Sequence, residues 1–234
     1  MHYVFQFGVV WDNWPLLLEG AIDTLRMSIE ALVLGLLVAA LCAYVRGARW
    51  RAGRALVRGY VEVIRNTPLL VQLFIVYFSL PGLGIRMEAD DAAVLGLGLN
   101  FGGYATEILR SGIDSIPRGQ IEGAIALGLS RWRIFRHVVL FPAVRVCYPA
   151  LAGQFILILL GSSVVSAISA EELTSTVNSL QSTTFRSFEF YFAATFIYLA
   201  LAAMARLALD GLFWLGFQRG RPVAGAVRMV GAGT

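Results

Sequence analysis

The chain has 234 residues, of which 58% are hydrophobic and 15% are charged, and its formal net charge is +4. So large an apolar share is unusual for a soluble domain and is typical of an integral membrane protein. All 19 basic residues are arginine, which excludes a Walker-type phosphate loop and a Schiff-base enzyme, because both sites require a lysine.

The few cysteines and histidines predict no metal site and no catalytic site. Cys42 and Cys147 lie in or beside apolar segments, where a free cysteine behaves as a small hydrophobe. His2 and His137 lie outside those segments, so no histidine cluster is available for a metal or a catalytic triad. We therefore expect no catalytic residue, no bound metal, no cofactor held by this chain and no nucleic-acid partner. The amino terminus does not resemble a cleaved signal peptide.

Five apolar segments are predicted to cross the membrane as helices, because a crossing needs about 20 predominantly apolar residues. They cover about residues 22–45, 60–80, 92–108, 144–168 and 188–214. The third is the shortest, and at ~1.5 Å per residue its ~17 residues extend for ~25 Å, just enough to cross. Its Gly98 and Gly102 permit another helix to approach closely. Polar residues 62–67, at the start of the second segment, are expected to face protein, headgroups or water rather than lipid.

The positions of the arginines predict the orientation of the chain. Five arginines lie between residues 46 and 58, and the positive-inside rule places such a loop in the cytoplasm. The arginines on or near the outer side are then only Arg26, Arg86 and Arg186, against sixteen on the inner side. We predict one all-α transmembrane domain over residues 1–234, with its core at about 20–216, its amino terminus outside and its carboxyl terminus in the cytoplasm.

The longest interval between the predicted spans, residues 111–142, is predicted to begin with a short helix. Pro117 suits the first turn of that helix, and Gly128 suits the residue after its end. One face of the helix is small and apolar, with residues spaced i, i+3, i+4 and i+7: Ile121, Ala124, Ile125 and Gly128. Such a face could lie close against another protein, whereas the alternative is an amphipathic loop resting on lipid headgroups.

A second helix is predicted to follow within the same interval. Ser130 can serve as its N-cap, and Trp132, Phe135 and Val139 share one side of it. Arginines occupy the other sides, which agrees with a cytoplasmic position.

Residues 122–124, Glu-Gly-Ala, resemble the Glu-Ala-Ala loop of bacterial ATP-binding-cassette (ABC) importer permeases, with Gly128 following and Pro142 closing an apolar run. Two departures are visible. Gly123 stands where the family has its first alanine, which is a mild change because glycine is smaller still. Pro142 stands one place later than the family's proline, with Phe141 in the usual position.

Four further stretches are similar to permeases for polar amino acids. They are residues 20–28, 60–72, 104–113 and 162–168, the last followed by Glu172-Leu173. The resemblance covers about residues 20–216. The family commonly has a Lys-Asp or Lys-Asn pair just before Ser162, and Leu160-Gly161 stands there in this chain. If that pair contributes to substrate selection in relatives, selection here must differ.

The resemblance implies a permease subunit of an ABC importer that translocates polar amino acids across the bacterial inner membrane and is not itself an enzyme. It implies a cytoplasmic ATP-binding subunit that uses ATP and Mg²⁺, a second permease subunit, identical or homologous, and an extracytoplasmic solute-binding protein. Membrane lipid surrounds the helices. The loop helix would act as a coupling helix between spans 3 and 4, contacting the ATPase through Glu122, Gly123, Ala124 and Gly128.

An amino acid zwitterion needs polar groups at membrane depth, because lipid cannot solvate it. The candidates for this pathway are Asn100, Ser162, Ser163, Gln72 and Gln154, together with Thr106. The alternative for each is a hydrogen bond between helices or, for the serines, a bond to the carbonyl of the preceding turn. Glu107 and Arg110 lie nearer the cytoplasm and are predicted to form a gate or a structural pair across helices.

Three other functions are alternatives to an ABC importer permease. Gly161-Ser162-Ser163 suggests an intramembrane serine protease, but the glycine that should follow is missing and no histidine lies at membrane depth to activate a hydroxyl. A secondary transporter would have a longer chain with internal repeats and ionisable groups in mid-membrane. A non-transporting membrane scaffold, whose basic loop only binds lipid, stays open and would co-purify with neither an ATPase nor a second permease.

Overall fold

The computed structural model describes residues 3–47 and 50–217, and all regular structure in these ranges is helical. The α-helices are α1 (Gly8–Asp12), α2 (Trp14–Gly47), α3 (Arg51–Arg65), α4 (Leu69–Phe74), α5 (Ala89–Asp114), α6 (Arg118–Ala126), α7 (Arg131–Arg133), α8 (Phe141–Gly161), α9 (Leu173–Thr184) and α10 (Ser187–Phe217). A π turn (Ile75–Ser79) and a 3-10 turn (Leu80–Leu83) continue α4, a π turn (Ile134–Leu140) joins α7 to α8, and a 3-10 helix (Ser162–Ile168) continues α8. The all-α fold class is confirmed. Both ends of the predicted domain, residues 1–2 and 218–234, lie outside the described residues.

Within the described residues, three helical segments are long and apolar enough to cross a membrane: Trp14–Gly47, Arg131–Ile168 and Ser187–Gly216. They contain the first, fourth and fifth predicted spans. A fourth crossing is counted if the bent pair Arg51–Arg65 and Leu69–Leu83 acts as one span. The third predicted span lies inside α5, which is less apolar because of its glycines, Asn100 and Glu107. Helix length and composition therefore give three or four crossings, and the fifth stays a prediction.

The second predicted span is not one straight helix. We expected a continuous segment over residues 60–80, but α3 ends at Arg65 and the chain turns through 114° before α4 begins at Leu69. The cause is Pro68, which has no N–H to donate and which disfavours a helical conformation in the residue before it. The hydropathy of the segment does not reveal this break, because apolar residues resume directly after it.

Gln72 holds the two sides of the break together. Its Nε2 donates hydrogen bonds to the carbonyl oxygens of Ile64 and Thr67, both at 2.8 Å. Those carbonyls lie at the end of α3 and in the break, where the interrupted helix supplies no N–H partner. Gln72 Oε1 accepts a hydrogen bond from Asn100 Nδ2 at 3.1 Å. The side chain of Gln72 therefore fixes the break and also ties it to α5.

The central helix is α5, which packs against α2, α3, α4 and α8. Its buried side consists largely of glycine and alanine, so the neighbouring backbones approach closely. The contact with α2 is close at Gly35, where a methyl group would lie 2.6 Å from Phe101 Cδ1, 2.7 Å from the carbonyl oxygen of Gly98 and 3.0 Å from the nitrogen of Gly102. The predicted role of Gly98 and Gly102 in close helix contact is confirmed.

The interval between α5 and the next long helix is shorter than residues 111–142. Helix α5 continues to Asp114, and a continuous helical segment begins at Arg131 and passes through Pro142. Pro142 is tolerated because it follows the π turn Ile134–Leu140, where the regular pattern of i to i−4 hydrogen bonds is already interrupted. The segment that contains α6, between α5 and the next long helix, therefore covers residues 115–130, whereas residues 111–142 as the interval between two membrane spans stay a prediction.

Helix α9 was not predicted, because it is polar and lacks a strong apolar period. Its N-cap is Glu172, whose carboxylate accepts hydrogen bonds from the backbone N–H of Thr174 and Ser175, both at 2.8 Å, and from the hydroxyl of Tyr198 at 2.6 Å. Glu172 is fully buried. Burial raises the pKa of the Glu172 carboxyl, although the hydrogen bonds act in the opposite direction. This one side chain joins α9 to α10.

The amino-terminal segment is also held by a buried carboxylate. Glu189, near the start of α10, accepts hydrogen bonds from the hydroxyl of Tyr3 and from the backbone N–H of Gln6. Arg186 donates from Nη1 to the carbonyl oxygen of Val4 at 3.1 Å. The segment before α1 is therefore attached to α10, which the sequence did not predict.

The close contact of α2 with α5 predicts that Gly35→Ala will destabilise the chain. An added methyl group must displace the α5 backbone, and overpacking of this kind costs about 1–3 kcal/mol. The control is Gly211→Ala on α10, where a methyl group meets nothing within 4 Å. The measurement is the thermal unfolding midpoint in detergent, and the account is wrong if Gly35→Ala unfolds at or above the control's temperature.

The hydrogen bonds of Gln72 predict that Gln72→Leu will lower the unfolding midpoint. Leucine has a similar size but leaves the carbonyls of Ile64 and Thr67 without donors, and each unsatisfied buried group costs roughly 1–3 kcal/mol. The matched control is Gln154→Leu, because the Gln154 amide makes no hydrogen bond to any described residue. Equal midpoints for the two variants would contradict the proposed role of Gln72.

Candidate functional site

The break between α3 and α4 forms one wall of a cleft whose other walls are α5 and α8. This polar cleft has a volume of about 460 Å³, within the range of about 300–1,000 Å³ that is common for small-molecule sites. Its lining residues are Arg65, Asn66, Thr67, Pro68, Leu69, Asn100, Tyr104, Gln154, Leu157 and Ile158. The turn of the chain at Pro68 places Arg65, the last residue of α3, and Asn66 and Thr67, which follow it, on the cleft surface.

Two of the predicted pathway residues, Asn100 and Gln154, line the polar cleft. Gln72 does not line it but lies behind Asn100, where its amide is occupied by structural hydrogen bonds. Ser162 and Ser163 lie outside the lining and donate to the carbonyl oxygens of Leu159 and Leu160, at 2.7 and 2.9 Å.

These bonds to carbonyls of the preceding turn are the alternative role that the sequence left open for the two serines. Contact of Ser162 or Ser163 with substrate stays a prediction. Thr106 likewise donates to the carbonyl oxygen of Gly102 at 2.7 Å, within α5. The structure therefore brings together the two amides of Asn100 and Gln154, and separates them from the hydroxyl groups.

The hydrogen bonds of Gln72 determine which atom Asn100 offers to the cleft. Because a carbonyl oxygen can only accept, Gln72 must point its NH₂ group at Ile64 and Thr67. Its Oε1 then faces Asn100, which must donate from Nδ2. Asn100 Oδ1 is left as an acceptor, and no donor to it is found among residues 3–47 and 50–217.

Arg65 supplies the positive charge of the polar cleft. Its guanidinium carbon lies 5.8 Å from the centre of the Tyr104 ring, a cation–π arrangement. In the described part of the chain Arg65 forms no ion pair, and the cleft lining contains no aspartate or glutamate. The polar character of residues 62–67 was visible in the sequence, but Arg65, Asn66, Thr67 and Tyr104 were not predicted to belong to the pathway. The signal that could have found the first three is the proline that follows them directly.

Glu107 and Arg110 form the predicted pair. Both lie on α5, whereas we expected them to pair across two helices. Arg110 Nε donates to Glu107 Oε1 at 3.0 Å, and Arg110 Nη1 donates to Asp114 Oδ2 at 2.6 Å. The contact between helices is made by Arg46 of α2, whose Nη1 lies 3.7 Å from Glu107 Oε2. This arrangement links the ends of α2 and α5 and occupies the Glu107 carboxylate.

The loop helix α6 begins one residue later than predicted, because Pro117 is its N-cap and not part of its first turn. Gly128 follows its end with a φ of 70°. The N–H of Gly128 donates to the carbonyl oxygen of Ile125 at 2.9 Å, and that of Leu129 to Ala124 at 3.2 Å. This is the Schellman arrangement, which favours glycine because of its left-handed conformation.

The predicted coupling residues do not all lie on one exposed face. Ala124 is 6% exposed because α6 packs against the π turn Ile134–Leu140. Glu122, Gly123 and Gly128 are exposed. Ala124 therefore contacts this chain, and contact of these four residues with an ATPase stays a prediction.

Comparison with known proteins identifies the fold and the family. A family model described as the binding-protein-dependent transport system inner membrane component matches residues 31–212. The glutamine transport system permease protein GlnP of Escherichia coli (strain K12) is 36% identical over 212 residues, covering 89% of this chain and 96% of GlnP. The nopaline transport system permease protein NocM of Agrobacterium fabrum is 33% identical over 218 residues, covering 88% of this chain and 90% of NocM.

Solved structures agree with these matches. A chain from the crystal structure of an amino acid ABC transporter with histidines has a TM-score of 0.83 and 32% identity, covering 90% of this chain and 98% of that chain. A chain of the MetNI methionine ABC transporter in an inward-facing conformation has a TM-score of 0.65 at 21% identity, which supports the fold alone. The resemblance drawn from the sequence is confirmed, and this chain belongs to the family of binding-protein-dependent transport system inner membrane components, the permease subunits of ABC importers.

Proposed function

We propose that the chain carries polar amino acids across the bacterial inner membrane as the permease subunit of an ABC importer. The observation that supports this proposal most directly is the polar cleft, whose cation and amides can replace the water around an amino acid zwitterion. The relatives named for glutamine, nopaline and L-cystine transport are consistent with a small polar substrate. The permease supplies the passage and not the chemistry of ATP hydrolysis.

We propose five membrane crossings, with the amino terminus outside and the carboxyl terminus in the cytoplasm. Three crossings are the long apolar segments, and the bent pair Arg51–Arg65 and Leu69–Leu83 makes another. The remaining one is α5, whose 26 residues extend for about 39 Å and are shielded from lipid by α2, α3 and α8. A helix that is surrounded by protein does not need an apolar surface of its own, which explains its glycines and Asn100.

Energy for transport comes, in this proposal, from a separate cytoplasmic ATPase that binds ATP and Mg²⁺. Helix α6 is proposed as the coupling helix that contacts the ATPase, with Glu122, Gly123 and Gly128 on its exposed side. The exposed side chains of Ile125 and Leu127 add apolar surface there, since 62% and 81% of their areas are accessible. A second permease subunit and an extracytoplasmic binding protein complete the importer.

Reconstitution of the purified complex in liposomes tests the proposed function. With the binding protein outside and ATP inside, we expect uptake of radiolabelled glutamine that stops when ATP is replaced by a non-hydrolysable analogue. Uptake that is independent of ATP, or a chain that purifies without an ATPase subunit, would overturn the proposal in favour of a scaffold or a secondary transporter.

Gly123, an exposed glycine of α6, is a position where a substitution can test contact with the ATPase without changing the stability of the fold. Gly123→Trp adds bulk at an exposed position where an added Cβ meets nothing within 4 Å in this chain, so the unfolding midpoint should not change. If α6 contacts the ATPase, uptake should fall at least tenfold in this variant. Gly211→Trp is the control, because it adds the same bulk to an equally open position on α10. Equal uptake by the two variants would exclude Gly123 from the coupling surface.

A further inference from the structure

The polar cleft has a charge pattern that restricts which amino acid it can hold. Its only ionisable side chains are the guanidinium of Arg65 and the phenol of Tyr104, within the part of the chain that the structure describes. Two carboxylates lie just outside the lining: Glu62 accepts a hydrogen bond from Asn66 at 3.2 Å, and Glu107 is paired with Arg46 and Arg110. A second positive charge in the cleft would therefore lie near Arg65 with no carboxylate in the lining to meet it.

The polar atoms of the cleft are divided between two walls. The wall formed by the helix break and α5 offers the Arg65 guanidinium, an anion-binding group, and Asn100 Oδ1, a free acceptor. These two groups match the α-carboxylate and the α-ammonium group that every amino acid carries. The opposite wall, on α8, consists of Gln154, Leu157 and Ile158.

The α8 wall matches one class of side chain. Gln154 can donate from its NH₂ group and accept at its Oε1, and its amide has no hydrogen-bond partner in the described ranges of the chain. Leu157 and Ile158 supply apolar surface beside it. A carboxamide side chain carries the same donor and acceptor pair at the end of a methylene chain, so it can form two complementary hydrogen bonds with Gln154.

On the basis of the proposed function, we infer that the polar cleft selects neutral amino acids with a carboxamide side chain and rejects cationic ones, with Gln154 as the residue that sets this specificity. Arg65 binds the α-carboxylate, and Asn100 Oδ1 accepts from the α-ammonium group. A lysine or arginine substrate is rejected because its side chain meets no carboxylate on the α8 wall and lies in the field of Arg65.

Direct binding to the purified importer complex, without its binding protein, tests this inference, because only the membrane domain can then discriminate. The probes are radiolabelled L-glutamine and L-arginine. We expect the wild type to bind glutamine at least tenfold more tightly than arginine. Gln154→Glu places a carboxylate in the α8 wall, and it should reverse the order by tightening arginine binding at least tenfold. Arg65→Gln should weaken glutamine binding at least tenfold.

Gln181→Glu is the control, since it adds the same charge on α9, outside the cleft, and should leave both affinities unchanged. Equal or tighter binding of arginine by the wild type, or an unchanged order in Gln154→Glu, overturns the inference. If the complex imports glutamine in liposomes but binds neither probe, the inference fails and the proposed function stands. If it imports no amino acid at all, the proposed function fails and the inference fails with it.

Discussion

The amide of Gln72 is the interaction on which the rest of the site depends. Pro68 breaks the helical hydrogen-bond pattern, and without a replacement the carbonyls of Ile64, which is buried, and Thr67, which is partly buried, would be unpaired. Gln72 supplies that replacement from the next helix, and its remaining oxygen holds Asn100 in one orientation. One side chain therefore stabilises the break and also decides which atom the cleft presents to a ligand.

The cleft lining has one permanent cation, Arg65, and no carboxylate, although Glu62 accepts a hydrogen bond from the lining residue Asn66. Glu107 could neutralise a nearby arginine, but Arg110 and Arg46 already occupy it. Arg65 is left with the face of Tyr104, which attracts a cation only weakly and leaves the guanidinium N–H groups available. The proposed coupling surface on α6 lies on a different part of the chain, so the proposed substrate site and the proposed ATPase contact can be altered separately.

The sequence predicted the parts of the fold that depend on long apolar runs and on residues that favour helix ends, including α2, α10 and the end of α6 at Gly128. It did not predict the break at Pro68, because the apolar run resumes at once and hydropathy averages over it. Helix α9 escaped notice because Glu172 holds it through contacts with distant residues. The burial of Ala124 against the π turn was not predicted, because a helical period identifies a face but not the element that packs on it. For the same reason the sequence found Asn100 and Gln154 but could not distinguish them from Gln72, whose amide serves the fold.

The most direct measurement is an experimental structure of the whole importer complex in the presence of L-glutamine. The account predicts a helix break at residues 66–68, Gln72 bonded to both carbonyls, and an amino acid between Arg65 and Gln154 with its carboxylate toward Arg65. A continuous helix through these residues, or an amino acid bound elsewhere with the polar cleft closed by side chains, would contradict it.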